Sequence, residues 1–218
     1  MSDNTARPWI PLRVAELLCS RLCHDLISPV AAVSNGLELL GDEADDMASE
    51  ITSLLTFSVG QAAGRLMYFR VAYGLGGENA DALSQSEAAK LSRGIAEEDK
   101  ILLDLQDGDQ PLGRDAAKLL LNAALVGLET LPNRGNLKLT VEQSDSIRIT
   151  VATHGDGVAL RPEVREVLRK DYDVSGLTAR TVQGYFTTWL AGAMGGSFML
   201  QAEEASRIVF VAEVPAGR

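Results

Sequence analysis

Two long stretches near the start of the chain repeat apolar residues at intervals of three and four, which is the spacing of one face of an α-helix. The acidic segment 41–46 separates them and suits a turn. The first stretch runs from about Pro11 to Leu40 and the second to about Tyr73, so the sequence predicts an antiparallel helical hairpin. The residues at this spacing are Ala15, Leu18, Leu22, Leu26, Pro29, Val33, Leu37 and Leu40 in the first stretch, and Ile51, Leu55, Ser58, Ala62, Leu66, Phe69 and Tyr73 in the second.

A hairpin whose helices carry one stripe each cannot enclose a core by itself. A second copy of the chain is the simplest cover, so we expect a homodimer with a four-helix bundle. Phe57 and Tyr68 are assigned to the core or interface of that bundle. The glycine-rich segment 74–77 breaks the helical pattern and is interpreted as a linker, which places the first domain at residues 1–77 and the second at 78–218.

The second domain mixes shorter helices and strands, and this order predicts an α+β sandwich. Helices are expected at 83–95, 114–131, 162–169 and 177–194, and strands at 100–105, 136–143, 146–153, 197–202 and 207–213.

Composition narrows the classes of function. The net charge of −10 argues against a nucleic-acid partner. No apolar run of about 18 residues and no signal peptide is present, so we expect a cytoplasmic protein without a membrane segment. Cys19 and Cys23 lie one helical turn apart, where a disulfide fits poorly, and are expected to be reduced thiols.

His24 lies on the first helix about 200° from Leu22 and therefore faces away from the apolar stripe. Its face carries mostly small and polar residues, which disfavours a core role, and no cluster of metal ligands surrounds it. A solvent-facing nucleophile and an ordinary surface histidine both remain open. A neutral imidazole can attack a phosphoryl group through one ring nitrogen while a hydrogen bond fixes the other nitrogen. Asp25 is the nearest candidate partner for that hydrogen bond.

The string from His24 to Pro29 resembles the H-box of histidine kinases, and its continuation to Leu40 resembles the ChpT family of bacterial histidine phosphotransferases. The resemblance implies a phosphorelay enzyme. His24 would accept a phosphoryl group from the receiver domain of a hybrid histidine kinase and pass it to the receivers of response regulators, among them a cell-cycle regulator and a proteolysis adaptor. No cofactor or metal site is expected in this chain, because the partner receiver would supply Mg²⁺.

The same resemblance assigns roles to neighbours of His24. Asp25 would orient the imidazole, and Ser28 stands where related kinases use Thr or Asn to orient a hydrolytic water. We expect receivers to dock on the surrounding surface, which is formed by Leu17, Arg21, Ile27, Ser28 and Ala31.

The second domain resembles the ATP-binding domain of histidine kinases and other GHKL ATPases. Segment 119–124 resembles the N-box, and Asn122 is the remnant of that motif. Segment 155–157 resembles the G1 box, and segments 175–177 and 190–196 resemble the G2 region. Several positions depart from these motifs: Thr153 replaces the aspartate that reads adenine, Lys118 and Leu125 replace an asparagine and a basic residue of the N-box, and Thr178 replaces a glycine.

A hydroxyl cannot replace a charged acceptor at equal strength, so we expect a degenerate domain that does not use ATP and that supports the bundle or frames a docking surface. Two alternatives stay open. One is an ATP-dependent histidine kinase with a divergent nucleotide site, and the other is a non-catalytic dimeric scaffold that binds receivers without needing His24.

Overall fold

The predicted hairpin is present in the computed structural model, which describes residues 9–42, 47–74, 82–98, 101–105, 111–169 and 171–216. Helix α1 spans Leu12–Asp42 and helix α2 spans Ala48–Ala72. Most of the predicted acidic turn and linker fall outside the described residues. No helix in the described part of the chain is long and apolar enough to cross a membrane.

The second half is an α+β unit built on a mixed five-stranded sheet. Its strands are β2 (Ile101–Leu105), β4 (Gly135–Gln143), β5 (Ser146–His154), β6 (Ser197–Glu204) and β7 (Arg207–Pro215). They lie in the order β2-β4-β5-β7-β6; the β2–β4 pair is parallel and the other pairs are antiparallel. The helices are α3 (Gln85–Glu98), α4 (Arg114–Leu128), α5 (Pro162–Val167) and α6 (Val182–Ala193).

The predicted start of α3 at Leu83 was wrong. Residues Ala82–Ser84 form a short strand, β1, which pairs with an equally short strand, β3 (Pro111–Gly113). The helix starts later because Ser84 and Glu87 form a capping box: the Glu87 amide donates to Ser84 Oγ at 3.1 Å, and the Ser84 amide donates to Glu87 Oε2 at 2.9 Å.

Other predicted helix boundaries also differ: α3 ends at Glu98 rather than Ile95, and α5 ends at Val167 rather than Arg169. Helix α4 ends at Leu128 rather than Leu131. Helix α6 begins at Val182 rather than Leu177, after a 3-10 turn at Val174–Gly176. The Thr178 amide donates to Thr181 Oγ1 at 3.0 Å, and this local contact stabilises a turn where the helix was expected.

Helix α4 lies at the centre of the molecule, between the sheet and the hairpin. All of its residues from Ala116 to Gly127 are buried. The fully buried Tyr68 of α2 packs here and donates from its hydroxyl to the Leu121 carbonyl at 2.6 Å. The expectation that Tyr68 belongs to a helical bundle was therefore wrong, because its ring fills the core that α2 shares with α4.

The apolar stripe of α1 divides between two environments. Near its start, Val14 and Leu18 are buried in a second cluster with residues of α5, α6 and the intervening turn: Val167, Leu177, Val182 and Phe186. Farther along, Leu37 is 58% exposed and Leu40 is also exposed. The lower half of the hairpin is thus packed on the second half of the chain, while the upper half presents apolar side chains at the surface.

Candidate functional site

His24 projects from the middle of α1 into solvent, with 88% of its side chain exposed. Its Nδ1 lies 3.2 Å from Oδ1 of Asp25, within hydrogen-bond reach. A carboxylate can only accept, so this contact favours a proton on Nδ1 and a free lone pair on Nε2. The geometry leaves Nε2 accessible to an electrophile in solution.

Asp25 links this exposed histidine to the interior of the molecule. Its side chain is 29% exposed, and its second oxygen, Oδ2, lies 3.9 Å from Nε of Arg21. Its backbone carbonyl accepts a hydrogen bond from Nη1 of Arg65 on α2. Both helices of the hairpin therefore contribute a cation beside Asp25.

Arg21 does not share the exposed surface of His24, contrary to its predicted place there. Its side chain is 17% exposed and forms an ion pair with Glu129, the residue that follows α4. Oε2 of Glu129 also lies 3.8 Å from Nη2 of Arg161, just before α5. Burial lowers the pKa of Arg21, but Glu129, Tyr73 and Asp25 together outweigh that effect and raise the pKa above its usual value.

Glu129 is a residue of this charged cluster that the sequence analysis did not identify. Burial raises the pKa of its carboxyl group, and the Arg21 and Arg161 cations only partly oppose the rise. With Arg21, Asp25 and Arg65, Glu129 lines a cavity of about 310 Å³ between the hairpin and the second half of the chain. No spacing in the sequence marks Glu129, because its partners come from distant segments.

The other predicted docking residues also differ in how far they are exposed to solvent. Ile27 is 65% exposed, and Ser28 and Ala31 are exposed as well, so these three share the open surface of α1 near His24. Leu17 is half-buried and packs against the cluster formed by α1 and α6. The expectation that Leu17 offers an exposed apolar contact is therefore corrected.

The asparagine of the N-box-like segment is buried and fully hydrogen-bonded. Asn122 Nδ2 donates to the carbonyls of Ala72 and Lys118 at 2.7 and 2.8 Å, and its Oδ1 accepts from Gln183 Nε2 at 2.9 Å. Gln183 Oε1 in turn accepts from the Tyr73 hydroxyl at 2.6 Å. Burial raises the pKa of this hydroxyl. Asn122 thus fastens the end of α2 to α4 and α6 rather than lining an open cleft.

Thr153 stands in place of the aspartate expected before the G1-like segment, and it is also buried. Its hydroxyl lies 3.0 Å from Thr130 Oγ1 and 3.4 Å from the Ile208 carbonyl, which accepts from it. The polar groups of both nucleotide-box positions are therefore engaged in hydrogen bonds within the protein. Across the described ranges, no group of three or more His, Cys, Asp or Glu side chains could hold a metal ion.

Known proteins resemble this chain over most of its length. The family described as "Histidine phosphotransferase C-terminal domain" matches residues 85–206. The protein phosphotransferase ChpT of Brucella abortus (strain 2308) is 32% identical over 203 residues, which cover 93% of this chain and 96% of that protein. A solved bacterial phosphotransferase is 29% identical, with a TM-score of 0.79, over 94% of this chain and 97% of that one. The chain therefore belongs to the ChpT-type histidine phosphotransferases.

Proposed function

We propose that this chain carries a phosphoryl group on His24 between two receiver domains of a phosphorelay. The observation that carries the proposal is the exposed imidazole of His24, whose Nδ1 contacts Asp25 and whose Nε2 is accessible. The donor would be the receiver of a hybrid histidine kinase, and the acceptors would be receivers of response regulators in the cytoplasm.

The chemistry follows from this geometry. The lone pair of His24 Nε2 attacks the phosphorus of an aspartyl phosphate, the P–O bond to the donor aspartate breaks, and that aspartate leaves as a carboxylate. The imidazole then carries a positive charge, because Nδ1 keeps its proton. The Asp25 carboxylate, 3.2 Å from Nδ1, stabilises that charge. The reverse reaction delivers the group to the aspartate of a second receiver, and each receiver supplies its own Mg²⁺.

Receivers would dock on the open part of α1 around His24. Ile27 offers apolar contact area, while the small side chains of Ser28 and Ala31 allow close approach of a partner backbone. Leu17 and Arg21 are left out of this surface because they pack inward. Ser28 lies one turn beyond His24, and we propose that its hydroxyl orients a water that removes the phosphoryl group.

A homodimer accounts for the apolar side chains that the hairpin exposes. Val30 and Leu37 are seven residues apart on α1, and Val59 and Leu66 are seven apart on α2; all four are more than half exposed, at 53%, 58%, 53% and 52%. Residues at this spacing form one seam on a helix, and two such seams are suited to a four-helix bundle. We propose that the bundle forms between two copies of the chain.

The polar groups of Asn122 and Thr153 form hydrogen bonds within the protein, which supports an activity that does not use ATP. An ATP-dependent kinase would need these groups for nucleotide or metal. They are instead committed to the Ala72 carbonyl, Gln183 and Thr130. The kinase alternative and the non-catalytic scaffold become distinct outcomes of one experiment.

The test is to mix the protein with a receiver that carries a labelled phospho-aspartate, and separately with labelled ATP and no receiver. We expect acid-labile label on the wild type from the receiver and none from ATP. His24→Ala should remain unlabelled. His154→Ala is the matched control, because the chain has two histidines and His154 is also exposed, and it should be labelled like the wild type.

Other outcomes separate the alternatives. Label on His24→Ala would show that His24 is not the acceptor. Label from ATP alone would identify a kinase, and receiver binding with no label on the wild type would identify a scaffold.

A further inference from the structure

We propose that Glu129 is a positioning residue: by holding the guanidinium group of Arg21, it keeps the Asp25 carboxylate free to orient His24. This inference rests on the proposed role of His24 as phosphoacceptor. It gives the second half of the chain a part in the reaction, because Glu129 belongs to the end of α4 rather than to the hairpin.

The contacts form one continuous chain of charged groups. Arg161 lies 3.8 Å from Glu129, and Glu129 forms the ion pair with Arg21. Nε of Arg21 lies 3.9 Å from Oδ2 of Asp25, and Oδ1 of Asp25 lies 3.2 Å from His24 Nδ1. A change at Glu129 therefore reaches the imidazole through two intervening side chains.

The two carboxylates compete for Arg21. In the structure, Arg21 turns Nη1 toward Glu129 and leaves only Nε near Asp25. Without the Glu129 charge, Asp25 is the nearest remaining carboxylate. Guanidinium and carboxylate groups favour paired, two-bond contacts, so the freed Arg21 would turn its donors onto Asp25. The carboxylate would then be drawn from His24, and the ring would lose the contact that keeps its proton on Nδ1.

Stability alone is a poor reason for this cluster. Glu129 follows the last residue of α4, where the negative end of the helix dipole opposes a carboxylate. Burial disfavours the charge further, and apolar residues of similar volume often replace a buried ion pair without loss of stability. The arrangement is better explained by what Arg21 would otherwise do to Asp25, one turn along the same helix.

The test compares Glu129→Gln with a matched control, Glu213→Gln. Both changes remove a glutamate that pairs with an arginine, but Glu213 pairs with Arg148 in the sheet. Phosphoramidate serves as the donor, because this small molecule needs no receiver docking. Nε2 attacks its phosphorus, the P–N bond breaks, and the phosphoramidate nitrogen, protonated by water, leaves as ammonia. The ¹⁵N shifts of the His24 ring report, in the same samples, which nitrogen carries the proton.

We expect Glu129→Gln to lower the population with the proton on Nδ1 and to slow phosphorylation of His24 about tenfold, the size expected for losing one charge-assisted hydrogen bond. Glu213→Gln should behave like the wild type. The double variant Arg21→Gln/Glu129→Gln should recover both the proton position and most of the rate, because the competing cation is gone. A purely structural role for Glu129 predicts no such recovery.

Two results would overturn the proposal: a Glu129→Gln protein as fast as the wild type, or a double variant as slow as the single one. If glutamine prevents folding, Glu129→Asp is the substitute, because its shorter side chain keeps the charge but places it farther from Arg21. We expect this variant to be phosphorylated more slowly than the wild type, with a smaller loss of rate than in Glu129→Gln. His24→Ala separates the two claims when the phosphorylated receiver is the donor: labelling of that variant would contradict the proposed function, whereas a failure at Glu129 with His24→Ala unlabelled would contradict this inference alone.

Discussion

At the scale of single residues, Glu129 shows how burial and charge act against each other. The folded protein surrounds its carboxyl group with the backbone end of α4 and two arginines, whereas the unfolded chain exposes it to water. Burial is the larger effect and raises the folded pKa. The folded state therefore keeps a proton on Glu129 to a higher pH than the unfolded state does.

This shift predicts a dependence of stability on pH. As the pH rises from 4.5, the ordinary pKa of glutamate, through the raised pKa of the folded state, the wild type should lose stability relative to Glu129→Gln. The quantity that falls is its free energy of unfolding. The charged groups facing Glu129 are Arg21, Arg161 and Asp25, together with the Tyr73 hydroxyl. Urea unfolding of both proteins at a series of pH values measures the difference. A difference that stayed constant, or that grew in favour of the wild type, would contradict the assignment.

At the scale of elements, α4 depends on close contact with the sheet. Gly127 faces strands β4 and β5, and a methyl group added there would lie 2.6 Å from Val151 Cγ1 and 2.9 Å from Leu137 Cδ1. Gly94 in α3 is the opposite case, because it is exposed and a methyl group there would meet nothing within 4 Å. The same substitution therefore tests packing at one site and helix propensity at the other.

We expect Gly127→Ala to destabilise the protein by about 1–3 kcal/mol through overpacking. Gly94→Ala should stabilise it by about 0.5–1 kcal/mol, because alanine loses less conformational freedom than glycine in a helix. Urea midpoints with unchanged slopes give both values. Equal effects at the two positions would show that α4 does not approach the sheet as closely as described.

Elements with strong periodicity could be predicted from the sequence, and those without it could not. The hairpin helices and the β4–β5 hairpin follow from spacing and turn residues, and the face of His24 follows from the helical repeat. The three-residue strands β1 and β3 are too short to alternate. Glu129 was missed because its partner Arg21 lies more than a hundred residues away, and no local pattern encodes a contact between distant segments.

At the scale of the whole molecule, the hairpin has two different halves. Its lower half packs on α4 and α6, and Arg13 Nη2 donates to the Leu177 carbonyl at 2.8 Å, across most of the chain. Exposed apolar residues lie on both helices, mostly in the upper half but reaching Leu66 near the end of α2. Such a surface calls for a partner, and the seven-residue spacing within it favours another hairpin of the same kind.

The dimer can be tested with charges placed in that seam. We expect the wild type to have twice the mass of one chain by multi-angle light scattering, and Val30→Glu/Leu37→Glu to have the mass of one chain while keeping its helix content, since both side chains are exposed within a single copy. Leu102→Glu is the control, because Leu102 is 73% exposed on β2, away from the hairpin, and this variant should stay dimeric. A monomeric wild type would contradict the proposal.

The amide of Asn122 also limits how this protein could be redesigned. Because Asn122 bonds to the carbonyl of Ala72, the last residue of α2, and to Gln183 on α6, it acts as a joint between three helices. Introducing an aspartate at position 153 and a glycine at position 178 would leave these hydrogen bonds of Asn122 in place. Freeing Asn122 for a nucleotide would release the end of α2, so a kinase built on this scaffold would first need a new way to hold its hairpin in place.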